Sequence, residues 1–245
     1  LNLLIVDRAL PASIAYSVDG ARENARRARE VVSTELWECL NTTYTRMPFT
    51  VRTERAHEQF EWIRERSALA FGIVASVLPR DDAYQFLVLG RMLERADMTA
   101  RLLATRSLTE ASGASWTTIL RSCGAYEAYL RTYRGMPSQE HSAEFILLDR
   151  LFPRSIAYSV SSALESLREL QPRHERRARS GIADQAQRLL GQMSADLDYR
   201  PIVETIDDLP HYMEGVQSGI SEASEAIRQR YFPEIASPTW LGEHA

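Results

Sequence analysis

Apolar positions recur at three- and four-residue spacing along almost the whole chain, and no run alternates apolar and polar residues as a half-buried strand does. The pattern predicts an all-helical fold. A short helix is expected to close over Asp7 to Leu10. From Pro11, a residue accepted in a first helical turn, one long helix is predicted to run to about Thr45. Its apolar stripe is Ile14, Val18, Ala21, Ala25, Ala28, Val32 and Leu36. Glu23, Arg26, Arg27 and Glu30 fall on its other side at ion-pairing spacing. Further helices are predicted over 53–78, 82–107, 115–133, 141–151, 154–170, 174–196 and 200–231. Pro79, Gly113, Gly135 and Pro172 supply breaks, and Pro210 is expected to kink or interrupt the last helix.

A repeat lies on top of this pattern. Asp7 to Val18 reads DRALPASIAYSV, and Asp149 to Val160 reads DRLFPRSIAYSV, with nine of twelve positions identical at an offset of 142. Chance identity of roughly 6% per position does not produce this. The reading is a helical bundle of two tandem, duplicated units. Residues 1–81 are the remainder of the first unit, 82–232 are the second, and 233–245 are a flexible tail. The strong helical stretch Tyr84 to Arg106 precedes the second copy, and its counterpart at the same offset falls before residue 1. The first unit is therefore expected to lack its leading segment and to expose an apolar groove.

Composition changes the picture little. The chain of 245 residues has 44% apolar and 25% charged residues and a net charge of −4, which offers no general attraction to nucleic acid or anionic membrane. All 29 basic residues are arginine. The plain explanation is a GC-rich genome; the sharper one is a supply of planar forks for carboxylate or phosphate. Cys39 and Cys123 match no ligand or redox spacing and read as buried thiols. No apolar run spans a membrane and no signal peptide is visible, so the cytoplasm is the expected location.

The sharpest local pattern is AYQFLVLGRMLERADMTARLL, Ala83 to Leu103. Phe86, Leu89, Leu93, Ala96, Ala100 and Leu103 form a broad apolar face, and Leu87, Met98 and Leu102 are mixed among the charges opposite. That mixture predicts a largely buried helix whose charges pair inside the bundle, either as a structural network or as a Glu–Arg constellation lining a cleft.

Within it, GRMLERADMTARLL resembles the repeated helix of the bacterial alpha-E domain family. ARENARRAREVVSTELWECLN (Ala21 to Asn41), LRSCGAYEAYLRTYRG (Leu120 to Gly135) and EFILLDRLFPRSIAYSV (Glu144 to Val160) resemble it too. The resemblance implies an all-helical protein found fused to, or encoded beside, circularly permuted ATP-grasp ligases and transglutaminase-like proteins. Both are then expected partners, in a system that makes or processes peptide-like amide bonds. The matching positions are Arg91, Glu94, Arg95, Asp97 and Arg101 in the first segment. They are Glu23, Asn24, Arg26, Glu30, Glu35, Trp37 and Asn41 in the second, and Arg131, Tyr133, Arg134, Asp149, Arg150, Pro153 and Ser155 in the rest.

Arginine forks suit carboxylate or phosphate, and a buried Glu94 would serve as a catalytic base if its pKa were raised. Three functions follow. The first is an accessory domain presenting a peptide-like substrate to an ATP-grasp ligase. The second is an enzyme acting on a peptide or ester bond with a Glu/Arg site, and the third is a non-catalytic scaffold.

Other chemistries fit worse. Only Glu54 and His57 have the Glu-x-x-His spacing of which di-iron bundles need two, so no metal is expected. His141, His174 and His211 fall near predicted helix ends. No phosphate loop or nucleophile elbow occurs, and no cofactor is expected. Arg173, Arg176, Arg177 and Arg179 lack interleaved aromatics and read as a solvated face rather than a nucleic-acid surface. Tyr126, Tyr129 and Tyr133 share one helix face, with core packing the default.

Overall fold

A computed structural model describes residues 1–108, 115–171 and 184–233, with the side chains of 106–108 left aside. Among the described residues the regular structure is helical, with no strand. The backbone divides into two units, Leu1–Tyr84 and Gln85–Ala245. The expected tail from residue 234, the part of the predicted 174–196 helix before Asp184, and with it His174 and the arginine run Arg173, Arg176, Arg177 and Arg179 lie outside the described residues.

Unit 1 contains α1 (Asn2–Val6), α2 (Ile14–Arg27), α3 (Thr34–Arg46) and α4 (Ala56–Val77), the last entered through a 3-10 turn at Thr53–Arg55. The long helix expected from Pro11 to Thr45 is two helices packed on each other. The reason is capping. Ser13 Oγ accepts the Tyr16 N–H, so α2 starts at Ile14 rather than at Pro11. Ser33 Oγ accepts the Leu36 N–H and starts α3 afresh after the turn at 28–33. The single apolar stripe thus folds back on itself. Helix α3 packs on both α2 and α4.

Unit 2 takes most of α5 (Asp82–Leu108), which begins three residues before the division. It continues with α6 (Trp116–Ser122), α7 (Tyr126–Tyr133), α8 (Gln139–Leu148), α9 (Ile156–Leu170), α10 (Gln185–Tyr199), α11 (Ile202–Asp207) and α12 (Leu209–Tyr231). The helix expected over 115–133 is broken by Gly124, whose φ of +63° is left-handed and suits a residue without Cβ. The expected interruption near Pro210 occurs at Asp208, with Pro210 in the first turn of α12. The core joins α5 residues Leu89, Leu93 and Ala96 to Tyr129, Ile146, Ile156, Leu190 and Met213 from the later helices.

The two copies of the repeated segment build the same turn. Asp7 and Asp149 each end a helix in extended backbone. The Oδ1 of Asp7 accepts from the Ala9 and Leu10 amides at 2.8 and 3.2 Å, and that of Asp149 from Leu151 and Phe152 at 2.8 and 2.7 Å. The hydroxyls of Ser13 and Ser155 donate back to the carbonyls of Asp7 and Asp149 while capping α2 and α9. Ser17 and Ser159 donate to the carbonyls of those caps. In helix order and packing, α1–α2–α3–α4 parallels α8–α9–α10–α12.

Candidate functional site

The turn at 149–155 is the frame. Asp149 spends one carboxylate oxygen on two amides, Ser155 closes the loop, and Phe152 stacks on Phe145 at 5.2 Å. These bonds hold the carbonyls of Pro153 and Arg154 outward. Helix α5 meets both. Arg95 Nη1 donates to the Pro153 carbonyl at 3.3 Å, and one helical turn on, Thr99 Oγ1 donates to that of Arg154 at 3.2 Å. Arg154 Nη1 in turn donates to the Cys123 carbonyl at 3.2 Å.

Three arginines, Arg91, Arg95 and Arg154, therefore share this corner. Partial burial, and then the like charges of Arg91 and Arg154, pull the Arg95 pKa down to about 10, so it stays protonated at neutral pH. Arg95 has no ion-pair partner among the described residues. A half-buried guanidinium facing like charges is a site where an added oxyanion lowers the electrostatic energy.

Glu94 is placed differently from expectation. It is exposed, and Met98 on the same helix is 61% exposed, so α5 keeps one face in solvent rather than being largely buried. Arg101 pairs with Asp97 at 2.7 Å on that surface, with Glu94 adding to its charge stabilisation. The burial that a catalytic base at Glu94 presupposed is absent.

Beside the turn lies a cleft of about 510 Å³, lined among others by Gly124, Glu127, Arg131, Asp149 and Pro153. It brings together two expected residues of opposite charge, Arg131 and Asp149. Tyr133 turns toward the core. Its ring stacks between Tyr129 and His141 at 4.9 and 4.7 Å, and its hydroxyl donates to Glu144 at 3.0 Å. Burial first, and that bond second, raise its pKa. Arg134 ends α7 in left-handed backbone and is exposed, while Arg150 reaches away to Asp198 at 2.6 Å.

The expected residues of unit 1 form no comparable cleft. Glu23 accepts from Arg26 and Arg27, both at 2.8 Å, and those two cations hold its carboxyl down to about 2. Such exposed pairs add little stability. Asn24, Glu30 and Glu35 are exposed, with Glu30 beyond the end of α2. Asn41 accepts from Arg22 at 2.8 Å, and Arg22 and Arg29 lie over the Trp37 ring.

Sequence reasoning missed two features. Arg8, Arg22 and Arg29 alternate with Phe49, Tyr44 and Trp37 in a cation–π ladder, with Arg22 over Tyr44 at 4.6 Å and Arg8 over Tyr44 at 4.4 Å. Seven-residue spacings in 22/29 and 37/44 were its available signal. A second cleft, about 500 Å³, is lined by Asp196, Arg200, Glu204, Asp208, His211 and Tyr212 among others. Its residues come from three helices, and no linear motif announces them.

Among the described residues no group of three His, Cys, Asp or Glu is arranged to hold a metal ion. Cys39 and Cys123 are free and buried, and burial pushes the Cys123 thiol up to about 11. It is not poised as a nucleophile. Among the described residues no helix is long and apolar enough to cross a membrane. A family model described as a predicted alpha-helical domain with a conserved ER motif matches residues 1–232. No curated protein and no solved structure matches the chain.

Proposed function

This chain belongs to the Alpha-E family, and from that premise we propose that it is a helical accessory domain in a bacterial ATP-grasp-linked system that makes or modifies peptide-like amide bonds. The observation that carries the reading is that Arg95 and Arg154 both reach the 149–155 corner, Arg95 to the Pro153 carbonyl and Arg154 to that of Cys123, beside the cleft that holds Arg131 and Asp149. A peptide-like substrate has both a carboxylate, suited to the guanidinium groups, and an ammonium, suited to Asp149 or Glu127. The domain itself holds and orients. An acyl phosphate made elsewhere would find the same guanidinium corner congenial.

Four Glu–Arg dipeptides occur in the chain, at 54–55, 65–66, 94–95 and 175–176. We assign the family's ER motif to Glu94–Arg95, because its arginine reaches the turn beside the cleft. The circularly permuted ATP-grasp ligase and the transglutaminase-like protein enter as partners through the resemblance of the four sequence segments.

The test is ATP-dependent amide ligation by a circularly permuted ATP-grasp ligase of the same genome, with and without this protein. Added wild-type protein is expected to raise the rate. Arg95→Gln is expected to lose about tenfold of that gain, the loss of one charge-assisted bond, with an unchanged Tm. Glu94→Gln should keep the gain. Identical ligation with and without the protein would sink the proposal, and loss in Glu94→Gln alone would turn it toward an enzyme.

A further inference from the structure

The cation–π ladder of unit 1 is a continuous strip. Trp37 and Tyr44 stand two turns apart on one face of α3, which packs on α2. Each ring is shared by two guanidinium groups. Trp37 lies 4.7 Å from Arg29 and 5.7 Å from Arg22, measured to the ring centroid. Tyr44 lies 4.6 Å from Arg22 and 4.4 Å from Arg8. Arg8 also reaches the Phe49 ring at 5.4 Å, and Phe49 is 81% exposed. The strip is therefore at the surface: Arg29 is exposed, and Arg8, Arg22, Trp37 and Tyr44 are half-buried.

What these three arginines lack is a carboxylate. Among the described residues none of Arg8, Arg22 and Arg29 forms an ion pair. Glu23, beside Arg22, is held by Arg26 and Arg27, both at 2.8 Å. Asp7, beside Arg8, gives an oxygen to the amides of its own turn. Arg22 donates through Nε to Asn41 at 2.8 Å, which leaves its two terminal nitrogens. The corresponding positions of unit 2 show that helix packing does not demand the strip. Counted from the serine caps, Arg22 of α2 matches Leu164 of α9, which is buried in the core. Helix α9 packs on α10 all the same. At the same offset Arg8 matches Arg150, and that arginine does have a carboxylate, Asp198 at 2.6 Å.

We propose that this strip is the docking surface for an acidic, extended segment of a partner protein. A guanidinium lying over a ring keeps its N–H edges for hydrogen bonds, and the ring holds the fork in place. Carboxylates two or three residues apart in an extended segment are roughly 7–10 Å apart. That spacing suits arginines that share one ring between them. Arg29, Arg22 and Arg8 then take successive carboxylates of the segment as charge-assisted pairs. Phe49, at the end of the strip, offers its ring to an apolar side chain of the same segment. A single-stranded nucleic acid fits less well. It needs open ring faces for its bases, and Trp37 and Tyr44 are each already shared by two guanidinium groups. The net charge of −4 also favours a short acidic segment over a long polyanion.

The probe is a labelled peptide of alternating glutamate and serine, titrated into the full chain at low salt and read by fluorescence anisotropy. Saturable one-to-one binding is expected, at least about tenfold tighter than for the same peptide with glutamine in place of glutamate, and weakening as salt rises. Arg8→Gln and, separately, Arg29→Gln should each lose about threefold to fivefold. Arg64→Gln removes the same charge from a pair with Glu61 on α4 and should keep the wild-type affinity. Arg29→Lys keeps the charge without the planar fork and should fall between. Circular dichroism of each variant, unchanged from wild type, shows that the fold is kept. A second readout uses wild-type protein and a photocrosslinking residue in the peptide, with crosslinks expected within residues 22–49. Equal affinity for the glutamate and glutamine peptides, full binding by the Arg8→Gln and Arg29→Gln double variant, or crosslinks confined to unit 2 overturns the proposal. Tighter binding of an oligothymidylate of equal charge overturns it too.

Discussion

Ile14 and Ile156 follow the same serine cap in the same turn, yet one is half-covered and the other fully buried. The hydrogen bonds around them match one for one, from the aspartate that ends the preceding helix to the serine four residues after the cap. What differs is the neighbourhood. The copy in unit 2 stands in a core fed by α5, α8, α10 and α12, and the copy in unit 1 borders an open groove. Local sequence is therefore sufficient for the turn, because each of its bonds spans six residues or fewer. Burial needs side chains from far along the chain, and among the described residues those reach the unit 2 copy more fully.

The largest expected break in this comparison comes from truncating the two isoleucines. Ile156→Ala should cost about 2–5 kcal/mol, as buried large-to-small changes do. Ile14→Ala should cost less than about 1 kcal/mol, because little apolar surface leaves water there. Urea denaturation read by circular dichroism measures both, and equal losses would erase the contrast. The caps should behave oppositely. Ser13→Ala and Ser155→Ala are each expected to cost about 1–2 kcal/mol, since both serines cap a helix and close the turn in the same way. A silent Ser13→Ala would mean that the unit 1 turn holds together without its hydroxyl.

A buried thiol of unit 2 sharpens the comparison through pH. Burial raises the Cys123 thiol from an ordinary 9.0 to about 11. The folded state of unit 2 thus favours the protonated thiol. That contribution is fully present below about pH 9 and is lost as pH rises toward about 11. Its size is on the order of 1 kcal/mol. Cys123→Ala should flatten the fall of Tm across that window, and an unchanged slope would contradict the assignment. The smallest effect is expected at Glu94→Gln, within about 0.5 kcal/mol by thermal melting, because the side chain is exposed.

Much of the fold was legible from periodicity. Helices α4, α5, α8 and α9 fall close to where apolar spacing puts them, and the Pro210 interruption occurs at Asp208. The misses share a cause. A helical apolar stripe continues through 28–33, and nothing in that stripe announces that Ser33 will cap a new helix. Gly124 lies inside an equally good stripe, and only its left-handed backbone shows that it ends α6. The site was legible by half. Motif spacing singled out Arg95, but its acceptor on Pro153 is 58 residues away, and the Asp196–Arg200–Tyr212 cleft had no motif at all.

The amino-acid sequence alone determined the helical class, the repeated Asp–Ser turn and the family, since each rests on spacing within a few residues or on direct residue identity. The tertiary structure alone decided which copy of the turn is buried and which arginines share a corner. It also decided that Glu94 faces solvent. These depend on which distant helices lie across one another, and pairwise packing over separations of 50 residues or more leaves no periodic trace along the chain.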